Sequence, residues 1–216
     1  MKRRSLQPIE QSADEPRTLR QEQAALRRAQ IVEAALGLFA RQGFDGTSTK
    51  QIARSAGVAE GLIFHYFPTK AQLLTAVLET HHSFAGELRA LLAEAADEPA
   101  DMVLQQIATG WLDTLRREAA ITAVLFGTAQ TNPEVGVALR ALIAEGIARL
   151  AAYLQRRVQA GELRATLPTE SSAQMFFASL MIFFVMNRLL PASEWQQRAD
   201  TFIHDMVSVW LDGARA

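Results

Sequence analysis

The chain has 216 residues, a formal net charge of −1, 49% hydrophobic and 21% charged residues, and no cysteine. That length and balance fit a folded protein of one large or two small domains. The missing cysteine excludes disulfides, thiolate metal sites and cysteine nucleophiles together, and it fits a reducing compartment.

Charge is unevenly spread. Residues 1–80 hold 11 Lys and Arg against 8 Asp and Glu, whereas residues 81–216 hold 11 against 15. A mildly basic amino end therefore precedes an acidic body. The basic start at Met1–Arg4 is followed by polar residues rather than an apolar core, unlike a signal peptide. The longest apolar run, Met175 to Met186, is shorter than the roughly 20 residues a membrane span needs. The expectation is a cytoplasmic protein with no membrane partner.

In chain order, residues 1–17 are polar and aperiodic and read as a disordered arm. The arm is taken as 1–24, partly helical from about Leu19. Ile31, Ala35, Leu38 and Phe39 then fall on one helical stripe, which Gly43 closes and Asp45-Gly46 turns. Ser48-Thr49-Lys50-Gln51 has the pattern of a capping box, so a helix opens there. Gly57 stops it early. A second short helix runs from about Ala59 to Phe67, where Pro68 ends it. Thr69 to Gln72 forms another box and opens a long helix to about Ala96. Beyond Pro99 the spacing predicts helices over 100–118, 120–130, 133–160, 169–188 and 194–213. No strand alternation is visible, so the class is all-α with about nine helices.

The informative unit is the pair of short helices around Gly57. Ile52, Ala53, Val58, Ile63 and Phe67 supply the apolar contacts that pin them together. A short helix held this way has an outer face suited to the DNA major groove, which is wide enough for one helix. The preceding helix would lie across the backbone, its N-terminal amides and the Ser48 and Thr49 hydroxyls near phosphate.

About 50 contiguous residues here resemble the amino-terminal domain of the tetracycline-repressor (TetR) family. The match comprises Ala35, Leu38 and Phe39; the Gly43-Phe44 turn; Thr47-Ser48 with Ile52-Ala53; the Ala56-Gly57-Val58 turn; and the ending Tyr66-Phe67-Pro68-Thr69-Lys70. The resemblance implies a three-helix helix-turn-helix domain over 25–85, with the motif at 48–67. It implies a larger helical ligand-binding and dimerisation domain over 86–216. Carried over residue by residue, Ser48, Thr49, Lys50, Ala59, Glu60, Gly61, Leu62, Phe64, His65, Tyr66 and Lys70 are the expected DNA-binding positions. Of these, Glu60, Gly61 and Leu62 match base-facing places, and Tyr66 and Lys70 match phosphate contacts.

Three residues depart from the usual pattern. Ala59 replaces Ser or Thr and loses an N-cap hydroxyl typically worth about 1 kcal/mol. Glu60 replaces a frequent Lys, and Leu62 a common Thr or Ser. These departures bear on the operator sequence rather than on the DNA-binding role. Glu60 serves equally as a partner for the helix dipole, and Arg20, Arg27 and Arg28 fit a solvated helix face as well as the minor groove.

The carboxyl half is rich in bulky apolar residues, most of them suited to core packing. Residues 176–186 are apolar all round, which predicts burial on both faces. By resemblance, Phe176, Leu180, Phe183, Phe184, Trp195, Phe202, Met206 and Trp210 would meet their copies in a four-helix dimer contact. Trp111, Leu115, Phe126, Gln130, Phe177 and Asn187 are candidates for an effector cavity, because they pair apolar bulk with a few polar groups. His81-His82 point about 100° apart with no carboxylate partner, so no metal site is expected there, and His204 is equally unsupported. No catalytic residue, metal or cofactor is expected, since no nucleotide-binding or hydrolase motif is present.

These readings converge on a dimeric regulator that binds a palindromic DNA operator and is released by a mostly apolar small molecule, with coupling through the helix at 70–96. An activator, or a helical ligand-binding protein with impaired DNA binding, are the alternatives.

Overall fold

The computed structural model describes residues 19–81, 84–95 and 98–215. They form ten helices: α1 (Leu19–Gln42), α2 (Thr49–Ala56), α3 (Glu60–Tyr66), α4 (Lys70–His81), α5 (Phe84–Glu94), α6 (Ala100–Arg117), α7 (Ala119–Thr131), α8 (Pro133–Gln159), α9 (Thr169–Asn187) and α10 (Ala192–Asp212). Among the described residues the only β feature is an isolated bridge between Leu163 and Arg215. The helix expected over 70–96 is described as α4 and α5, on either side of residues 82–83, which lie outside the described residues with His82. Most of the expected arm, residues 1–18, also lies outside them, and residues 20–24 belong to α1.

The amino-terminal helices close on the stripe that the periodicity predicts. Ile31, Val32, Ala35, Leu38 and Phe39 of α1 are buried against Ile52 and Ala53 of α2, Ile63 of α3, Phe67, and Leu73, Leu74 and Val77 of α4. This core is not closed by α1–α4 alone. Ile121 and Leu125 of α7 and Val135 of α8 complete it, and α1 and α4 pack directly on α7 and α8. A division at residue 85 therefore does not separate two independent cores.

The second core lies among α6, α8, α9 and α10, with Leu104, Ile107, Tyr153, Leu154, Phe176, Leu180 and Trp195 buried. The 27-residue α8 starts cleanly because Asn132 Oδ1 accepts from the Glu134 and Val135 amides at 3.1 and 3.2 Å, with Pro133 at its first position. By length and composition α9 is apolar enough to cross a bilayer. In the fold it is a packed helix, burying Ser172, Ala173, Phe176, Leu180, Phe183 and Phe184.

That packing divides the expected dimer residues into a buried and a half-buried set. Phe176, Leu180, Phe183, Phe184 and Trp195 are buried within the protomer. Phe183 stacks on Phe202 at 4.5 Å and meets Trp195 edge-on at 5.4 Å, while Phe184 reaches Trp195 at 6.1 Å. These rings join α9 to α10 inside one chain. Phe202, Met206 and Trp210 are only half-buried. The open apolar side of these helices is a different stripe: Met175, Ile182, Val185, Met186 and Leu189, with Val209 on α10.

Candidate nucleic-acid interface and ligand cavity

Short-range bonds fix the α2–α3 unit. Ser48 Oγ accepts from the Gln51 amide at 3.2 Å, and the Ser48 amide donates to Gln51 Oε1 at 2.8 Å, completing the capping box. At the other end Gly57 sits at φ 66°, where a side chain is strained, and the Val58 amide closes back on Ala53 O at 3.0 Å. Ala59 leads into α3 with extended backbone and no side-chain cap. Buried Ile63 anchors the inner face of α3.

The outer face carries the expected set. Ser48, Lys50, Ala59, Glu60, Gly61, Phe64 and His65 are exposed, whereas Thr49, Leu62 and Tyr66 are half-buried. Phe64 is 48% exposed on a helix of seven residues. The Thr49 hydroxyl donates to Glu60 Oε1 at 2.7 Å, locking the first turn of α2 to the first turn of α3. Glu60 is thereby held in place with its second oxygen uncommitted to Thr49.

Lys70 departs from expectation. Its ammonium donates to Phe44 O at 2.8 Å and Thr47 O at 3.0 Å and lies 4.2 Å from the Phe44 ring centroid. It clamps the start of α4 to the loop before α2. An ammonium so engaged has at most one proton left for a phosphate, so its first role is to position α2.

The larger bundle encloses a cavity of about 70 Å³, taken as the space open to the centre of a water-sized sphere. It is walled by Trp111 and Leu115 of α6, Thr122, Leu125 and Phe126 of α7, Leu139, Leu142, Ile143 and Gly146 of α8, and Phe177 and Met181 of α9. Trp111 meets Phe177 edge-on at 5.8 Å. Four of the six sequence candidates are in this wall: Trp111, Leu115, Phe126 and Phe177. Gln130 is exposed outside it. Asn187 is also absent, its amide turned to Phe183 O at 2.8 Å, as a polar group on an apolar helix must be. Thr122, Leu125 and Met181 are wall residues that the sequence reading passed over. No local pattern marks them, because the wall is assembled from separate helices. Just outside the wall, burial at the α6–α7 junction pushes the Glu118 carboxyl above its usual range. Arg117 opposes that shift and Glu87 adds to it.

A tight two-helix unit with an open reading face, mounted on a helical bundle with an apolar chamber, defines a helix-turn-helix transcriptional regulator with a ligand-binding domain. Comparison with known proteins agrees. Residues 31–77 match the family model of bacterial regulatory proteins of the tetR family, and residues 101–201 match a tetracyclin repressor-like C-terminal domain. The chain is 32% identical over 154 residues to the HTH-type transcriptional regulator AcrR of Shigella flexneri, covering 68% of this chain and 71% of AcrR. It is 27% identical over 206 residues to the HTH-type transcriptional repressor NicS of Pseudomonas putida, covering 87% and 93%. Among solved structures, FadR of Bacillus subtilis in complex with stearoyl-CoA superposes with a TM-score of 0.67 at 22% identity, covering 86% of this chain and 98% of FadR. The chain belongs to the TetR family.

Proposed function

We propose that this regulator is a repressor. Two copies would bind a palindromic operator through α3 and leave it when a small apolar molecule fills the α6–α9 cavity. The observation that carries the reading is the outer face of α3, where Phe64, His65 and Gly61 stand exposed beside the capped start of α2. In this reading Ser48, Thr49 and Lys50 meet the backbone or a guanine edge, and residues 59–66 enter the major groove. Pairing through the open stripe of α9 and α10 would set two α3 helices about 34–36 Å apart, one DNA turn. Residues 25–85 act as the reading domain and 86–216 as the sensing and pairing domain. The curated relatives are bacterial, and the place of action is the cytoplasm.

Coupling has a physical route. Leu125 lines the cavity and is also part of the amino-terminal core, so a ligand that displaces α7 changes what α1 and α4 pack against. The Thr69 hydroxyl donates to Glu134 at 3.1 Å and ties the start of α4 to the start of α8. A ligand that favours one arrangement of α7 shifts the spacing of the two reading helices.

The test is selection of bound duplexes from a random library with the purified protein. An inverted repeat with half-sites about one turn apart is expected, and Lys50→Ala and Tyr66→Phe should weaken binding. Recovery of no sequence above background would overturn the reading.

A further inference from the structure

The cavity wall contains no ionised side chain, and its polar side-chain atoms are the Trp111 indole nitrogen and the Thr122 hydroxyl. Thr122 is 3% exposed, and its Oγ1 is buried with no hydrogen-bond partner. Three other helical threonines return their hydroxyl to the carbonyl four residues back. Thr75 donates to Ala71 O at 3.1 Å, Thr80 to Ala76 O at 2.8 Å and Thr201 to Gln197 O at 3.0 Å. Thr122 does not, although the backbone around it is equally helical, with its amide 2.9 Å from Glu118 O. Leaving a buried hydroxyl unpaired forfeits its hydration with nothing in return. A valine of the same shape would avoid that cost.

From this we infer that the cavity takes an uncharged, single-ring molecule carrying one hydrogen-bonding oxygen, which meets Thr122 Oγ1. The inference rests on the effector reading above and narrows its ligand. Size sets the first limit. A volume of 70 Å³ measured this way corresponds to roughly five water positions at about 10–15 Å³ each, or about 150 Å³ of liquid, the scale of a benzene-sized guest. Charge sets the second limit. An anion here would shed its hydration with no cation in the wall to replace it. The aromatic faces of Trp111, Phe126 and Phe177 set the third, since ring-on-ring contact favours a flat guest. The fatty acyl thioester held by the structurally similar FadR fails the first two limits in this chain.

The experiment uses the full-length protein, with calorimetric binding and operator release measured for four probes at pH 7: p-cresol, toluene, p-toluate and stearoyl-CoA. p-Cresol should bind best and release the operator. Its advantage over toluene should be about three- to tenfold, the worth of one net hydrogen bond. Thr122→Val should keep toluene binding and unfold at or above the wild-type temperature, because the unpaired hydroxyl is gone, while erasing that advantage. Tightest binding by p-toluate or stearoyl-CoA, an unchanged preference in Thr122→Val, or no binding by any probe would overturn the inference. Release of the operator by stearoyl-CoA alone would overturn the inference and leave the effector reading standing. Binding of p-cresol without operator release would instead sink the effector reading.

Discussion

The α2–α3 unit and the α6–α9 cavity are specified in different ways. In the first, the constraints span at most eleven residues: Ser48 caps against Gln51, Gly57 supplies the left-handed turn, and Thr49 latches Glu60. In the second, the wall draws on four helices, and no residue in it is fixed by its own backbone. A reading head can be encoded as a short run of residues. A ligand chamber is encoded only as a sum of volumes and an absence of charge. Between them lies α7, whose Leu125 belongs to both.

Truncating the shared residue breaks the comparison most sharply. Leu125→Ala should cost about 2–5 kcal/mol of stability, the range for deleting a fully buried leucine, and should weaken operator binding as well as alter the chamber. Denaturant unfolding checks it. A change confined to ligand binding, with stability intact, would show that α7 does not unite the two regions.

Lys70→Met asks whether Lys70 holds the reading head or only touches DNA. Losing two charge-assisted bonds to Phe44 O and Thr47 O should cost about 1.5–3 kcal/mol. A pure phosphate contact would leave the unfolding midpoint alone and change only the salt dependence of DNA binding.

Ala59→Ser restores the missing cap of α3 and should add about 1 kcal/mol of stability. The smallest effect is expected from Glu118→Gln. Burial raises the pKa of this carboxyl in the folded state, so the charged form carries a penalty at neutral pH. That penalty fades as the pH falls through the carboxylate range and the proton binds. The variant should therefore melt slightly higher than wild type at pH 7, with the gap closing near pH 4. A gap that widened on acidification would contradict the assignment.

The same contrast explains what could be read from the sequence. Both ends of α2 and the buried face of α3 were legible because capping boxes, left-handed glycines and helical stripes have local causes. The clamp made by Lys70 was not legible because its partners, Phe44 and Thr47, lie more than 20 residues earlier in the chain. Which side of α9 stays open was not legible for a similar reason. An all-apolar α9 offers no sequence signal for its inner face, which buries Phe176, Leu180 and Phe184 and leaves Ile182, Met186 and Leu189 exposed. Gln130 and Asn187 were chosen for polarity, yet the hydroxyl in the chamber wall belongs to Thr122, which looks like any other helical threonine in the sequence.

The most direct test of the reading head is affinity for the selected duplex, measured by fluorescence anisotropy across a salt series, for wild type and a Phe64→Ala, His65→Ala double variant. Both side chains are exposed, so the variant should keep the wild-type unfolding temperature. It should lose at least about tenfold in affinity, since one good base contact is worth about 1–3 kcal/mol. Wild-type affinity and sequence preference in the double variant would contradict the placement of α3 in the groove.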